Sequence, residues 1–97
     1  MTFTGIAMQF EWDENKNKVN LEKHAIDFVL ATEVFSDHMA VETIRIVNNE
    51  ERIQIIGKIG GCIISVAYTW RKTNIRIISA RLASKKERLN YGQKSTA

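Results

Sequence analysis

Beyond Met39 the chain reads with a period of two. Residues 41–47, 52–59, 62–70 and 75–79 alternate apolar and polar side chains and are rich in Ile and Val, the pattern of half-buried strands. Asn48-Asn49 and Gly60-Gly61 separate three of these runs, and both pairs tolerate the positive φ that two-residue hairpin loops require. Hairpins this short fix the register as well as the order of strands. A two-residue loop at Gly60-Gly61 sets Ile59 opposite Cys62, and each outward step adds a pair: Gly57 with Ile64, Ile55 with Val66, Ile53 with Tyr68. These share one face and are apolar or small. Ile56 with Ser65, Gln54 with Ala67 and Arg52 with Thr69 share the other, and a one-residue slip would invert both faces. A turn centred on Lys72-Thr73 extends the pattern, so that Ile75 meets Trp70, Arg76 meets Thr69 and Ile77 meets Tyr68.

The N-terminal third has a different character. Residues 8–12 alternate well enough for a first strand, with Met8, Phe10 and Trp12 on one face, and residues 1–7 read as a dispensable extension. Asp13 is a good N-cap, and Glu14 adds an acid to the first turn of a mostly polar surface helix ending near His24. Asp27 caps a second helix over residues 28–35, with Phe28, Ala31, Val34 and Phe35 at core spacing. At the other end, Ser84-Lys85-Lys86-Glu87 is a capping-box pattern. It opens a short helix predicted to reach about Tyr91, followed by a loose tail over residues 92–97. The expected fold is α+β: an antiparallel sheet of about five strands, two N-terminal helices on one face and a short C-terminal helix. Residues 8–91 form the single domain.

Composition narrows the function. A hydrophobic content of 44% with 26% charged residues is that of an ordinary globular chain. No apolar run approaches the ~20 residues of a membrane span, and no secretory signal is evident. A single cysteine, Cys62, excludes an internal disulfide and fits a reducing cytosol. Its neighbours Ile63 and Ile64 suggest a small buried hydrophobe. No Cys/His ligand spacing is present, and neither metal nor cofactor is expected. The net charge of +3 hides a segregation: residues 71–97 carry eight basic side chains and one acid (8 − 1 = +7), whereas residues 1–40 carry three and seven (3 − 7 = −4). One end is suited to a polyanion.

The register concentrates that charge. Arg52, Gln54, Thr69, Arg71 and Arg76 converge on the polar sheet face, with Glu50 and Glu51 at its edge as the only strand acids expected there. Arg81 lies five residues beyond Arg76, roughly 16 Å along an extended strand. It joins the same site only if the chain turns back after Ser79; otherwise it belongs with Ser84 and Arg88 in a second cluster.

F-E-W-D-E-N-K (residues 10–16), N-L-E-K-H (20–24), the helix ending in F-S-D (35–37), E-R-I-Q-I-I-G (51–57) and I-R-I-I-S-A-R-L-A-S-K-K-E-R-L-N-Y (75–91) together resemble the BrnT family of toxins. The resemblance covers about residues 8–91. It implies a RelE-like fold and a metal-independent endoribonuclease that cleaves RNA and inhibits growth. It also implies a BrnA-like antitoxin that neutralises the toxin, in a two-plus-two heterotetramer, and carries the only contact with operator DNA. The chain departs from the family in having Ala25 where Gly usually follows Lys-His, and His38 where Pro commonly follows the Asp of F-x-D. A non-catalytic RNA-binding domain, or an inactivated toxin kept as an antitoxin partner, are the alternatives.

Metal-free cleavage requires deprotonation of the 2′-hydroxyl, stabilisation of the phosphorane charge and protonation of the leaving 5′-oxygen. Arginine suits the second task through its bidentate fork. Arg71, Arg76 and Arg81 are the expected phosphate contacts, with Arg52 and Thr69 assisting. The acid and base must come from Lys23, His24, Glu51 or Tyr91. His24 is the first candidate, because imidazole both takes and gives a proton close to neutral pH. It could equally interact with the helix C-terminus, as Glu51 could simply pair with Arg52 or Arg71. Lys85, Lys86 and Arg88 form either a solvated helix face or a contact for RNA or antitoxin. Trp12 and Trp70 are read as core or antitoxin-facing.

Overall fold

The computed structural model describes the backbone of residues 9–96; the expected extension over residues 1–7, and Met8 of the first strand, lie outside them. A five-stranded sheet runs in the order β1-β5-β4-β3-β2, formed by β1 (Phe10–Glu11), β2 (Val41–Val47), β3 (Glu50–Ile59), β4 (Cys62–Arg71) and β5 (Asn74–Leu82). Helix α1 (Glu14–His24), helix α2 (Phe28–Ala31) and a 3₁₀ turn (Thr32–Ser36) follow β1, and helix α3 (Lys85–Thr96) closes the chain. The α+β expectation holds, with one parallel pair, β1 beside β5, in an otherwise antiparallel sheet.

The hairpin register is as the sequence implied. Ile59 faces Cys62, Ile55 faces Val66 and Ile53 faces Tyr68; Thr69 faces Arg76 across the turn at Lys72-Thr73. Asn48 and Asn49 both adopt positive φ, as do Gly60 and Lys72. The apolar face carries the main core: Ile53, Ile55, Val66, Tyr68, Ile75 and Ile77 pack against Phe28, Ala31 and Val34. Trp12 joins it edge-on to Phe28, at 6.0 Å between ring centroids. Cys62 is exposed rather than buried, because the hairpin places it at the open end of the sheet beside Gly60-Gly61.

Three further boundaries differ from expectation. The second helix is only one turn of α before it tightens to 3₁₀. The last strand continues past Ser79 to Leu82. The last helix runs on through Gly92 to Thr96. It docks on the sheet face opposite α1 and α2, where Tyr91 and Ala83 pack with Ile56, Met39, Val41 and Ile63. The capping box forms in full: Ser84 N–H donates to Glu87 Oε1 at 2.8 Å and Glu87 N–H to Ser84 Oγ at 3.2 Å.

Two polar residues hold the helical layer. Asn20 is buried in α1; its amide donates to the Ala80 carbonyl at 2.8 Å, and its oxygen accepts the Ala80 N–H at 3.1 Å. Because β1 pairs with β5 only at Ile75 and Arg76, this side chain substitutes for a missing neighbour strand, and it also donates to Ile26 O. Asp37 accepts from Met39 N–H, Lys58 N–H and the Tyr91 hydroxyl, joining the helical strap, β3 and α3. Burial alone would raise its pKa, but those three hydrogen bonds and the neighbouring His38 overcome that and lower it. Ala25 ends α1 in the left-handed conformation (φ 61°), its N–H bonded to Leu21 O, at a position where glycine avoids a Cβ clash.

Two stability predictions follow from these contacts. Asn20→Ala leaves the N–H and C=O of Ala80 without partners and should cost about 3 kcal/mol in denaturant unfolding. Ala25→Gly should stabilise by about 0.5–1 kcal/mol, raising the melting temperature by a few degrees.

Candidate functional site

An irregularity in β5 builds the site. Tyr68 faces Ile77 but Ala67 faces Ser79, so Ile78 is an extra residue, a β-bulge. Strand side chains alternate, so Arg76 and Arg81 in an unbroken strand would point to opposite faces. The bulge shifts the phase: Ala80 now lies in the core and Arg81 faces Ser65. Arg76 and Arg81 therefore share the polar face along a continuous strand. The chain does not reverse after Ser79; Arg81 shares the face of Arg76 but pairs with Glu87, the capping-box partner of Ser84, as the second-cluster alternative expects in part.

Two hollows lie on this face. One, of about 330 Å³, is lined by Lys16, Glu50, Arg52, Thr69, Arg71 and Arg76, among others. The other, of about 210 Å³, is lined by Arg45, Arg52, Gln54, Ser65, Ser79 and Arg81, among others. Arg52 borders both, and the two neighbouring hollows are together termed the trough. A third hollow at the outer edge of β5 holds Lys23 and His24 together with Lys16, Ile78 and Ser79, so these two residues adjoin the trough at the bulge.

Carboxylates orient the arginines. Glu11 accepts from Arg76 at 2.8 Å, lies 3.8 Å from Arg71 and accepts from Asn74; the Asn74 hydrogen bond first, then Arg76, lowers its pKa. Arg52 pairs with Glu50 at 3.2 Å on the surface, a contact of small energetic consequence. Glu87 binds Arg81 bidentately at 2.8 and 2.9 Å and accepts from Gln54. That fork, helped by Ser84 N–H and Gln54 against the opposing effect of burial, brings the Glu87 pKa down to about 2; Arg81 is correspondingly raised. Among the described residues Arg45 makes no ion pair within 4 Å, although it stands directly across from Arg52.

The structure thus assembles Arg52, Thr69, Arg71, Arg76 and Arg81, with Lys23 and His24 alongside. It does not assemble the rest. Glu51 faces Ile46 on the opposite side of the sheet, one residue out of phase with Arg52. Tyr91 is buried at the far end against Asp37, and that hydrogen bond raises its pKa. The Thr69 hydroxyl already donates to Glu51 O. Lys85 and Lys86 are exposed on the first turn of α3, while Arg88 folds back onto Ala83 O. The expectation that only Glu50 and Glu51 supply strand acids is also overturned. Glu11 occupies the arginine face, through a parallel pairing that no local pattern signals.

Arg45 and Glu87 border the candidate site, and the sequence reading missed both. Stepping outward from Asn48-Asn49 would have set Arg45 opposite Arg52, whereas Glu87 was legible only as a cap. No group of three or more His, Cys, Asp or Glu is placed to hold a metal among the described residues. No helix is long and apolar enough to cross a membrane.

Residues 12–87 match the family described as "Ribonuclease toxin, BrnT, of type II toxin-antitoxin system". The chain belongs to the BrnT family. A search of curated proteins returns no match. Membership makes the chain a ribonuclease toxin whose partners are RNA and a cognate antitoxin. In this toxin the matched span includes the bulge, every arginine of the trough and Glu87.

The Glu87–Arg81 fork makes the docking of α3 acid-sensitive. A carboxylate whose pKa is lowered from 4.5 to about 2 adds stability that is complete above pH 4.5 and lost as the pH falls through 2. The melting temperature should therefore decline across that window, and Glu87→Gln should start lower at pH 7 and decline less steeply.

Proposed function

We propose that the toxin cleaves RNA without a metal ion, with the scissile phosphate held in the trough beside the bulge. One observation carries this: Arg45 and Arg52 stand directly opposite each other on neighbouring strands, and Arg81 lines the same hollow. Like charges so placed are destabilising, and a phosphate between them removes the repulsion. Glu87 and Glu11 fix Arg81 and Arg76 before substrate arrives, so little reorganisation is needed when charge develops.

In the proposed reaction the 2′-oxygen loses its proton and attacks the adjacent phosphorus. The P–O5′ bond breaks, the 5′-oxygen takes a proton, and a 2′,3′-cyclic phosphate remains. The arginines stabilise the phosphorane oxygens but stay protonated throughout. His24 and Lys23, adjoining the trough through Ser79 and Lys16, are the proton-transfer groups this arrangement favours. The reading includes a BrnA-like antitoxin in a two-plus-two assembly, with operator DNA contacted only by the antitoxin. An RNA substrate and one exposed thiol support a cytoplasmic setting.

Purified toxin incubated with RNA in EDTA should release fragments ending in 2′,3′-cyclic phosphate. Arg52→Ala and Arg81→Ala, checked for folding by circular dichroism, should each lower the cleavage rate on the order of 10²-fold. His24→Ala should lower it by roughly 10²–10⁴-fold. RNA that is retarded on a gel but left intact would identify a binding module instead.

A further inference from the structure

The other face of the sheet is only partly covered. The strap formed by α2 and the 3₁₀ turn packs on β3, β4 and β5, leaving the β2 side of that face open. Ile44 and Ile46 on β2 are 62% and 68% exposed, and Trp70 on β4 is 49% exposed. They belong to one patch. Ile44 faces Ile53, Ile53 faces Tyr68, and Ile46 faces Glu51, so the exposed groups flank a floor of buried Ile53 and Tyr68. A groove of about 540 Å³ runs across this floor between Phe35, Ile44 and Trp70. Isolated exposed apolar side chains are ordinary, but a contiguous set across adjacent strands marks an interaction surface. β2 is also an edge strand, with one row of backbone groups open to pairing.

Charge selects the occupant. Asp37, Glu42 and Glu51 line the groove, and among the described residues no Lys, Arg or His does. The Tyr68 hydroxyl donates to Glu42; burial first, then this bond and the nearby carboxylates, raise the tyrosine pKa. RNA is repelled here, since the cations lie on the reverse of the same sheet. A second copy of the toxin is disfavoured as well, because a two-fold contact would set one acidic groove against another. A protein segment with apolar side chains flanked by Lys or Arg satisfies both the apolar floor and the acidic rim.

We propose that this groove receives the antitoxin, through such an apolar and basic segment, on the face away from the RNA-holding arginines. The proposal rests on the toxin reading of the chain, and it places the antitoxin's anchor where substrate does not bind. RNA and antitoxin would then share one sheet but not one set of side chains.

Calorimetric titration of the full-length toxin with its cognate antitoxin tests this. Ile44→Lys and Ile46→Lys, each folded by circular dichroism, should weaken Kd at least tenfold and leave RNA cleavage by the free toxin within twofold. Glu42→Gln should weaken Kd several-fold and reduce its dependence on salt. The proposal falls if both lysine variants bind like the parent, or if Arg45→Glu or Arg52→Glu weakens binding more than they do. It also falls if the free toxin dimerises through this face, seen as an Ile46→Lys variant that is monomeric where the parent is not. Loss of the ribonuclease reading shows separately, as a parent toxin that binds antitoxin normally but cuts no RNA.

Discussion

The hydrogen bonds between the Asn20 side chain and the Ala80 backbone hold α1 against the last strand, beside the candidate site. β1 spans two residues, so among the described residues most of the outer edge of β5 lacks a neighbouring strand. A buried edge without partners would be costly, and a carboxamide is uncharged and both donates and accepts in a fixed plane, as a peptide does. By pairing with Ala80, Asn20 brings α1 against β5 two residues beyond the bulge. Lys16, Lys23 and His24 thereby come to border Ile78 and Ser79. The helix has little apolar surface of its own to dock with, since Val19 and Leu21 point outward. Its position therefore depends on a polar contact more than on burial.

Where pairing is local, the sequence was readable. Two-residue turns leave no freedom in the count of residues, so the β3–β4 register and the start of β5 could be derived pair by pair, down to Arg76 opposite Thr69. The N-caps Asp13 and Asp27 and the capping box of Ser84 and Glu87 were legible for the same reason: each is a contact within four residues. What escaped involved long separations. Glu11 reaches the arginines across 65 positions of sequence; Asn20 reaches Ala80 across 60. Neither leaves a periodic trace, and a lone buried Asn in a polar helix looks like any solvated residue.

Within the candidate site the same distinction holds. The face of Arg52 and Arg76 followed from alternation alone. That of Arg81 did not, because alternation predicts the wrong side once a bulge intervenes, and I-R-I-I-S-A-R offers no glycine to announce one. Glu51 was misjudged for the complementary reason: adjacent in sequence to Arg52, it is by the period of two a full sheet thickness away. The two faces have consequently acquired opposite electrostatic characters within one small domain.

The bulge makes the spacing of β5 a matter of counting rather than of chemistry. Many residues could occupy position 78 without altering which way its neighbours point. Removing that position, or adding another, would turn Arg81 toward the core and Ala80 toward solvent. For such a strand, the harmful lesions are insertions and deletions.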